Sequence, residues 1–208
     1  MPTINFLIDK GIDLNKKNEF NETVLMRAST NDENYELVEL LLSKGASMYV
    51  DGGSILRCAI SYKAKEIIKL FIKNKIDLEV TSSDGWPPLA SACYDEYDVE
   101  MVKILIKAGA KLESKVDGGW TPLLIACQSD ENLAIAKELI KNGANFEVKN
   151  TYGNTPLLIA SANGSLNILD YLISTGANTK ITNNDNENVV SVANNEEIRA
   201  YLRKKGIK

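Results

Sequence analysis

Eight residues, GWTPLLIA at 119–126, return as GNTPLLIA at 153–160, thirty-four positions further on. Self-similarity at a period of roughly 20–50 residues marks a chain that builds one supersecondary unit and stacks copies of it, because a single copy cannot bury its own apolar face. Alignment on the Thr-Pro-Leu slot yields six rows: TVLMRA from Thr23, SILRCA from Ser54, PPLASA from Pro87, TPLLIA from Thr121, TPLLIA from Thr155 and NVVSVA from Asn188. Successive starts lie 31, 33, 34, 34 and 33 residues apart. Each row carries a second apolar segment: ELVELLLSKG, EIIKLFIKNK, EMVKILIKAG, AIAKELIKNG, NILDYLISTG and EIRAYLRKKG. An extra copy of that second segment, NFLIDKG, stands ahead of the first row.

The chemistry of each slot explains its recurrence. Thr, Ser or Asn at the row start is a helix N-cap type, whose side-chain oxygen satisfies a free helical N–H. Pro122 and Pro156 follow at the first helical position, where a missing N–H costs nothing. Leu123 and Leu157 are expected to point inward, while Ala126 and Ala160 keep the helix thin enough for the next unit to approach. In the second segment Met101, Val102, Ile104 and Leu105 form one helical face. Lys107 and Lys141 suit the negative end of the helix dipole, and the closing glycine fits the left-handed position past a helix end. That glycine recurs as Gly11, Gly45, Gly109, Gly143, Gly176 and Gly206, with Lys75 in its place in the row from Ser54. Asp-Gly and Tyr-Gly turn signals separate the units, so each reads turn, helix, short turn, helix.

These rows resemble the ankyrin-repeat family, whose repeat of about 33 residues carries a T-P-L-H-x-A signature. The resemblance covers nearly the whole chain. It implies an all-α fold, an ankyrin-repeat solenoid of stacked helix-turn-helix units with projecting β-hairpin-like turns. It lays out a single domain over 1–208: a half-repeat cap at 1–14, full repeats at 15–48, 49–78, 79–112, 113–146 and 147–179, and a capping repeat at 180–208. The signature histidine is absent; its slot holds Met26, Arg57, Ala90, Leu124, Leu158 and Ser191, so packing by Leu124 and Leu158 is expected to replace its hydrogen bonds. The unit over 51–78 departs furthest from the pattern and is expected to be the weakest.

Composition narrows the chemistry. The 208 residues include no histidine, the commonest general base and metal ligand, and three cysteines without metal-type spacing. Cys93 and Cys127 fall in the same slot of adjacent units and read as small buried side chains rather than nucleophiles. Net charge is −4, which offers no basic field for nucleic acid, and no apolar run is long enough for a membrane helix. The opening MPTINFLIDKG lacks a basic start and a small-residue cleavage site, so no signal peptide is expected. The acidic pairs Asp32-Glu33, Asp95-Glu96 and Asp130-Glu131 read as solvated turns, and no calcium-loop or phosphate-loop pattern is present. The expectations are no enzyme activity, no cofactor, no metal, and a cytoplasmic monomer or a secreted effector.

What the resemblance implies instead is a protein or peptide partner held by turn tips and by the ends of the first helices. The positions so marked are Phe20, Glu22, Asp51, Asp84, Trp86, Trp120, Tyr152 and Asn154 on the tips. Tyr62, Tyr94, Asp95, Gln128 and Ser129 stand late in the first helices. Exposed tips do not ordinarily recruit aromatics, and aromatic anchors dominate interface energetics. Arg57 lies among apolar residues on a first helix, where it must reach the groove or pair with a neighbour such as Asp51 or Glu22. An acidic and aromatic groove favours a partner with exposed basic and apolar anchors. Adaptor, inhibitor masking a partner's active site, and effector remain open alternatives; small-ligand and nucleic-acid binding are disfavoured.

Overall fold

The computed structural model describes residues 2–49, 54–82, 84–94 and 98–208. The chain divides into two compact units, residues 1–91 and 92–208, with the division falling inside helix α6 (Pro88–Tyr94).

The first unit contains α1 (Pro2–Asp9), α2 (Val24–Ala28), α3 (Tyr35–Ser43), α4 (Ser54–Ser61) and α5 (Lys65–Lys73). Each short helix packs on the longer one that follows, α2 on α3 and α4 on α5, and the pairs stack like on like, α2 with α4 and α3 with α5. The apolar spacing of each second segment dictates the core: Val38, Leu41, Ile67, Ile68, Leu70 and Phe71 are buried. The second unit repeats the scheme with α7 (Val99–Lys107), α8 (Pro122–Ala126), α9 (Leu133–Lys141), α10 (Pro156–Asn163), α11 (Leu166–Thr175) and α12 (Glu196–Lys204). There α8 pairs with α9 and α10 with α11, while α8 stacks on α10 and α9 lies between α7 and α11.

The caps follow the slot chemistry. The hydroxyls of Thr23, Thr121 and Thr155 accept from the amides of Met26, Leu124 and Leu158 at 3.3, 3.5 and 3.4 Å. Pro122 and Pro156 occupy the first helical turn. All six closing glycines are left-handed, and Lys75 takes the same conformation at φ 60°, where its Cβ meets the steric penalty that glycine avoids. Leu124 and Leu158, in the slot of the missing histidine, are fully buried.

The sixth row departs from the expected pattern. Residues 188–193 form a single turn rather than a first helix; the Asn188 side chain accepts from the amides of Val190 and Ser191, each at 2.9 Å. Three valines in this segment lose rotamer freedom in a helix, no proline starts it, and Asn195 opens α12 by capping the Ile198 amide at 2.9 Å.

Bonds between successive units were not expected from the slots. Asn15, Glu113 and Glu147 accept from the amides of Ser47, Asn145 and Asn178 at 2.8, 2.8 and 2.7 Å. Asp32 and Asp130, expected as solvated turn residues, are structural instead. The Asp32 carboxylate accepts from Glu66 and Ile67 at the start of α5, each at 3.0 Å. Asp130 accepts from the backbone of Asn167 and Ile168 and from the Asn167 side chain, all at 3.0 Å. Neither α5 nor α11 has a side-chain cap from its own N-cap residue, Ala64 or Ser165. The preceding unit supplies it.

Candidate functional site

The turn tips are built by one local device. The backbone N–H of Asn18, Ser82, Val116, Asn150 and Asn183 donates to the carbonyl four residues on, at 2.9, 3.1, 3.0, 3.2 and 3.0 Å. In three of them the asparagine side chain also collects two amides of the loop: Asn18 from Phe20 and Glu22, Asn150 from Tyr152 and Asn154, Asn183 from Asp185 and Glu187. With its polar groups satisfied inward, the loop projects its second residue into solvent. Phe20 is 73% exposed and Tyr152 60%, an outcome that no folding force favours for such rings.

The tip aromatics therefore occupy two slots rather than one row. Phe20 and Tyr152 stand at the apex. Trp86 and Trp120 stand at the closing position and are half-buried. The indole of Trp120 covers Gly118, where an added Cβ would lie 3.1 Å from its Cδ1. Glu22 and Asn154 share the closing slot and face local partners. Glu22 meets Arg27 at 3.8 Å, and the side-chain Oδ1 of Asn154 accepts from the Asn183 side chain at 3.1 Å. Asp51 and Asp95 lie outside the described residues.

Among the described residues Arg57 pairs with Asp84 and not with Glu22. Its guanidinium donates to Asp84 at 2.6 Å and to the Ser82 hydroxyl at 3.2 Å, and Ser82 in turn donates to Asp84. The Arg57 guanidinium, and after it the Ser82 hydroxyl, hold the Asp84 carboxyl below its ordinary range. The extended arginine reaches the next turn because residues 25–27 positions apart are neighbours in a stacked repeat. With Asp84 and Asp130 engaged within the chain and Glu22 meeting Arg27, the acidic character expected of the binding face is reduced to Asp117 among its described members.

The second unit brings three of the marked residues together. Tyr94, Gln128 and Ser129 line a hollow of about 370 Å³ with Cys93, Ile125 and Asn132. Tyr94 ends α6 and is 60% exposed; Gln128 and Ser129 follow α8 and are half-buried. The side chain of Asn132 is buried beneath them, donating to the Cys93 carbonyl at 3.5 Å, while its own Oδ1 has no hydrogen-bond partner. Sequence reasoning missed Asn132. The signal was the segment DEN, which occurs at both 32–34 and 130–132 and forms a 3-10 turn each time. In the first unit Tyr62 is likewise 62% exposed at the end of α4.

Nucleophile chemistry finds no support in the thiols. Burial pushes the Cys93 and Cys127 thiols well above their ordinary range, and burial followed by the charge of Glu22 raises Cys58. Among the described residues no group of three or more Cys, Asp or Glu gathers as a metal cage. No helix among them is long and apolar enough to cross a membrane.

Paired helices closed by left-handed residues, with turn tips carried on inward-tied polar side chains, define a helical repeat protein. A family model described as ankyrin repeats (3 copies) matches residues 1–84, 55–150, 89–185 and 129–208, and the chain belongs to that family. Among solved structures it is similar to the ankyrin repeat domain of Bcl-3, described as a unique member of the IkappaB protein family. The TM-score is 0.83 at 24% identity, over 97% of this chain and 91% of that one, a likeness of fold. No curated protein matches the sequence.

Proposed function

We propose that this ankyrin-repeat chain is a non-catalytic, monomeric interaction module that holds a protein or peptide through turn tips and first-helix ends. The hollow lined by Tyr94, Gln128, Ser129 and Asn132 carries the proposal. It combines an exposed aromatic wall, two polar side chains at the rim and a buried amide oxygen without a donor. An unsatisfied buried acceptor costs about 1–3 kcal/mol, which a partner's donor recovers on binding. A lysine or arginine side chain fits this chemistry, its apolar stem against Tyr94 and its charged head toward Asn132. Tyr152, Trp120 and Asp117, on turn tips of the same unit, complete the proposed contact set. Phe20, Tyr62, Trp86 and Glu22 provide the corresponding set in the first unit. Three unpaired thiols support a reducing, cytoplasmic setting.

Immobilised protein exposed to extract of the native cell is expected to retain a partner that the triple variant Tyr94→Ala, Trp120→Ala, Tyr152→Ala does not, with helicity unchanged. Equal retention by the variant refutes this assignment of the binding face.

A further inference from the structure

The turn after the first helix carries the segment Asp-Glu-Asn twice, at 32–34 and 130–132, and the two asparagines are held differently. Asn34 is half-buried, and its side chain donates to the Ala28 carbonyl of its own repeat at 3.0 Å. Asn132 is 4% exposed and donates instead to the Cys93 carbonyl of the preceding repeat, at 3.5 Å. That carbonyl fixes which end of the amide is nitrogen, so the group left without a partner is Oδ1, an acceptor. The bond is long for its kind, which gives the amide slack to offer that oxygen to a donor. The same asparagine lines the hollow of about 370 Å³.

The other lining residues decide what kind of donor fits. Cys93 and Ile125 are buried and apolar, and Tyr94 adds an exposed ring. Walls of this kind take the methylene stem of a long side chain. Gln128 and Ser129 are half-buried, and the Ser129 hydroxyl, which accepts from the Glu131 amide at 3.3 Å, keeps a second lone pair. An apolar anchor such as leucine or methionine would seal Asn132 Oδ1 without a donor. A buried polar group stranded in that way is what makes a site reject an analogue lacking the bond. A guanidinium brings its N–H groups in a rigid planar fork, most of which would be desolvated against Cys93 and Ile125. An ammonium carries its donors on one rotating atom, able to reach Oδ1 while its other protons meet Gln128, Ser129 and water at the rim.

Resting on the binding face proposed for Tyr94, Gln128 and Ser129, we infer that the hollow is a lysine-selective anchor pocket and that Asn132 is its specificity-determining residue. The partner polypeptide inserts one lysine, its stem along Tyr94 and its ammonium on Asn132 Oδ1. Arginine and apolar side chains are turned away. Asn34, half-buried and within reach of water, strands no such acceptor, so the anchor belongs to the turn at 130–132.

The probes are the blocked tripeptide acetyl-Gly-Lys-Gly-amide and its arginine and norleucine counterparts, titrated into the full isotope-labelled chain. Nuclear magnetic resonance follows the Asn132 side-chain amide and the backbone amides of Gln128 and Ser129. The lysine peptide is expected to shift these signals saturably in the millimolar range, as suits a single side chain. The arginine peptide is expected to bind about fivefold more weakly and the norleucine peptide at least about tenfold more weakly. Asn132→Leu is expected to reverse the order, taking norleucine over lysine, a reversal that loss of a merely structural residue does not produce. Tyr94→Ala, at an exposed side chain, supplies a second variant if Asn132→Leu loses the native circular dichroism spectrum, and lysine binding is expected to weaken at least about fivefold. No saturable shift with the lysine peptide, equal binding of the arginine or norleucine peptide, a lysine preference kept by Asn132→Leu, or unchanged binding by Tyr94→Ala overturns the inference. Partner capture still lost in the Tyr94→Ala, Trp120→Ala, Tyr152→Ala variant then shows that the binding face stands and only its lysine assignment has failed.

Discussion

Asp130 offers the sharpest test of how one repeat unit holds the next. Its carboxylate accepts from the Asn167 and Ile168 amides at the start of α11, and the helix's own N-cap residue, Ser165, makes no side-chain cap. Asp130→Ala removes an N-cap interaction worth about 1 kcal/mol and a negative charge at a helix N-terminus worth about 0.3–1 kcal/mol. The bond from the Asn167 side chain is exposed, and water replaces it at little cost. The expected loss is about 2 kcal/mol, and about 1 kcal/mol for Asp130→Asn, which keeps an acceptor oxygen but not the charge. Urea unfolding followed by circular dichroism measures the total. Amide exchange localises it, because about 2 kcal/mol accelerates exchange at Asn167 and Ile168 roughly thirtyfold where local opening governs it. Glu131→Ala, next door and exposed, is the control and is expected to stay within about 0.5 kcal/mol. If Asp130→Ala behaves like Glu131→Ala, the carboxylate is not a cap and the inter-unit bond contributes nothing.

Lys75→Gly relieves a left-handed side chain at about 1 kcal/mol but adds chain entropy to the unfolded state. A net gain of about 0.5 kcal/mol is expected in thermal melts, with α4 and α5 exchanging amides faster than α8 and α9 in the parent; destabilisation contradicts the strain argument. Gly153→Ala combines φ 78° with a Cβ only 2.8 Å from the Asn184 backbone nitrogen, so it is expected to cost about 2 kcal/mol or more. Gly143→Ala, with open space around it, is expected to cost about 1 kcal/mol. Asp84 has a lowered pKa, so its pairing with Arg57 stabilises fully above the ordinary carboxylate range and is lost as pH falls through the depressed value. Both side chains are about two-fifths or more exposed, which limits the pair to about 1 kcal/mol at neutral pH. The difference in melting between the parent and Asp84→Asn is therefore expected to vanish in acid, and a pH-independent difference refutes the ion-pair account.

Most of the fold was legible because a repeat states its rules several times. Threonine caps, first-turn prolines and left-handed closing residues, Lys75 included, follow from local chemistry at fixed spacing. The sixth first helix was not legible, since three valines and a competing Asn195 cap break a segment whose period alone looks intact. Partner choice by long side chains was also hidden. Arg57 selects Asp84 across 27 positions, and Asp130 selects α11 across 37, distances that only the stacked geometry closes. The site was half legible. Exposed Phe20, Tyr62, Tyr94 and Tyr152 follow from their slots, whereas Asn132 sits in a turn that composition reads as solvent-facing.

The most direct measurement of the proposed role is site-specific photocrosslinking in native cell extract. A photoreactive amino acid at Tyr94, on the rim of the hollow, is compared with one at Lys141, exposed on α9. A covalent adduct to one protein from position 94, absent from position 141 and competed by unlabelled parent chain, is the predicted result. Adducts from position 141 alone, or equally from both, contradict it.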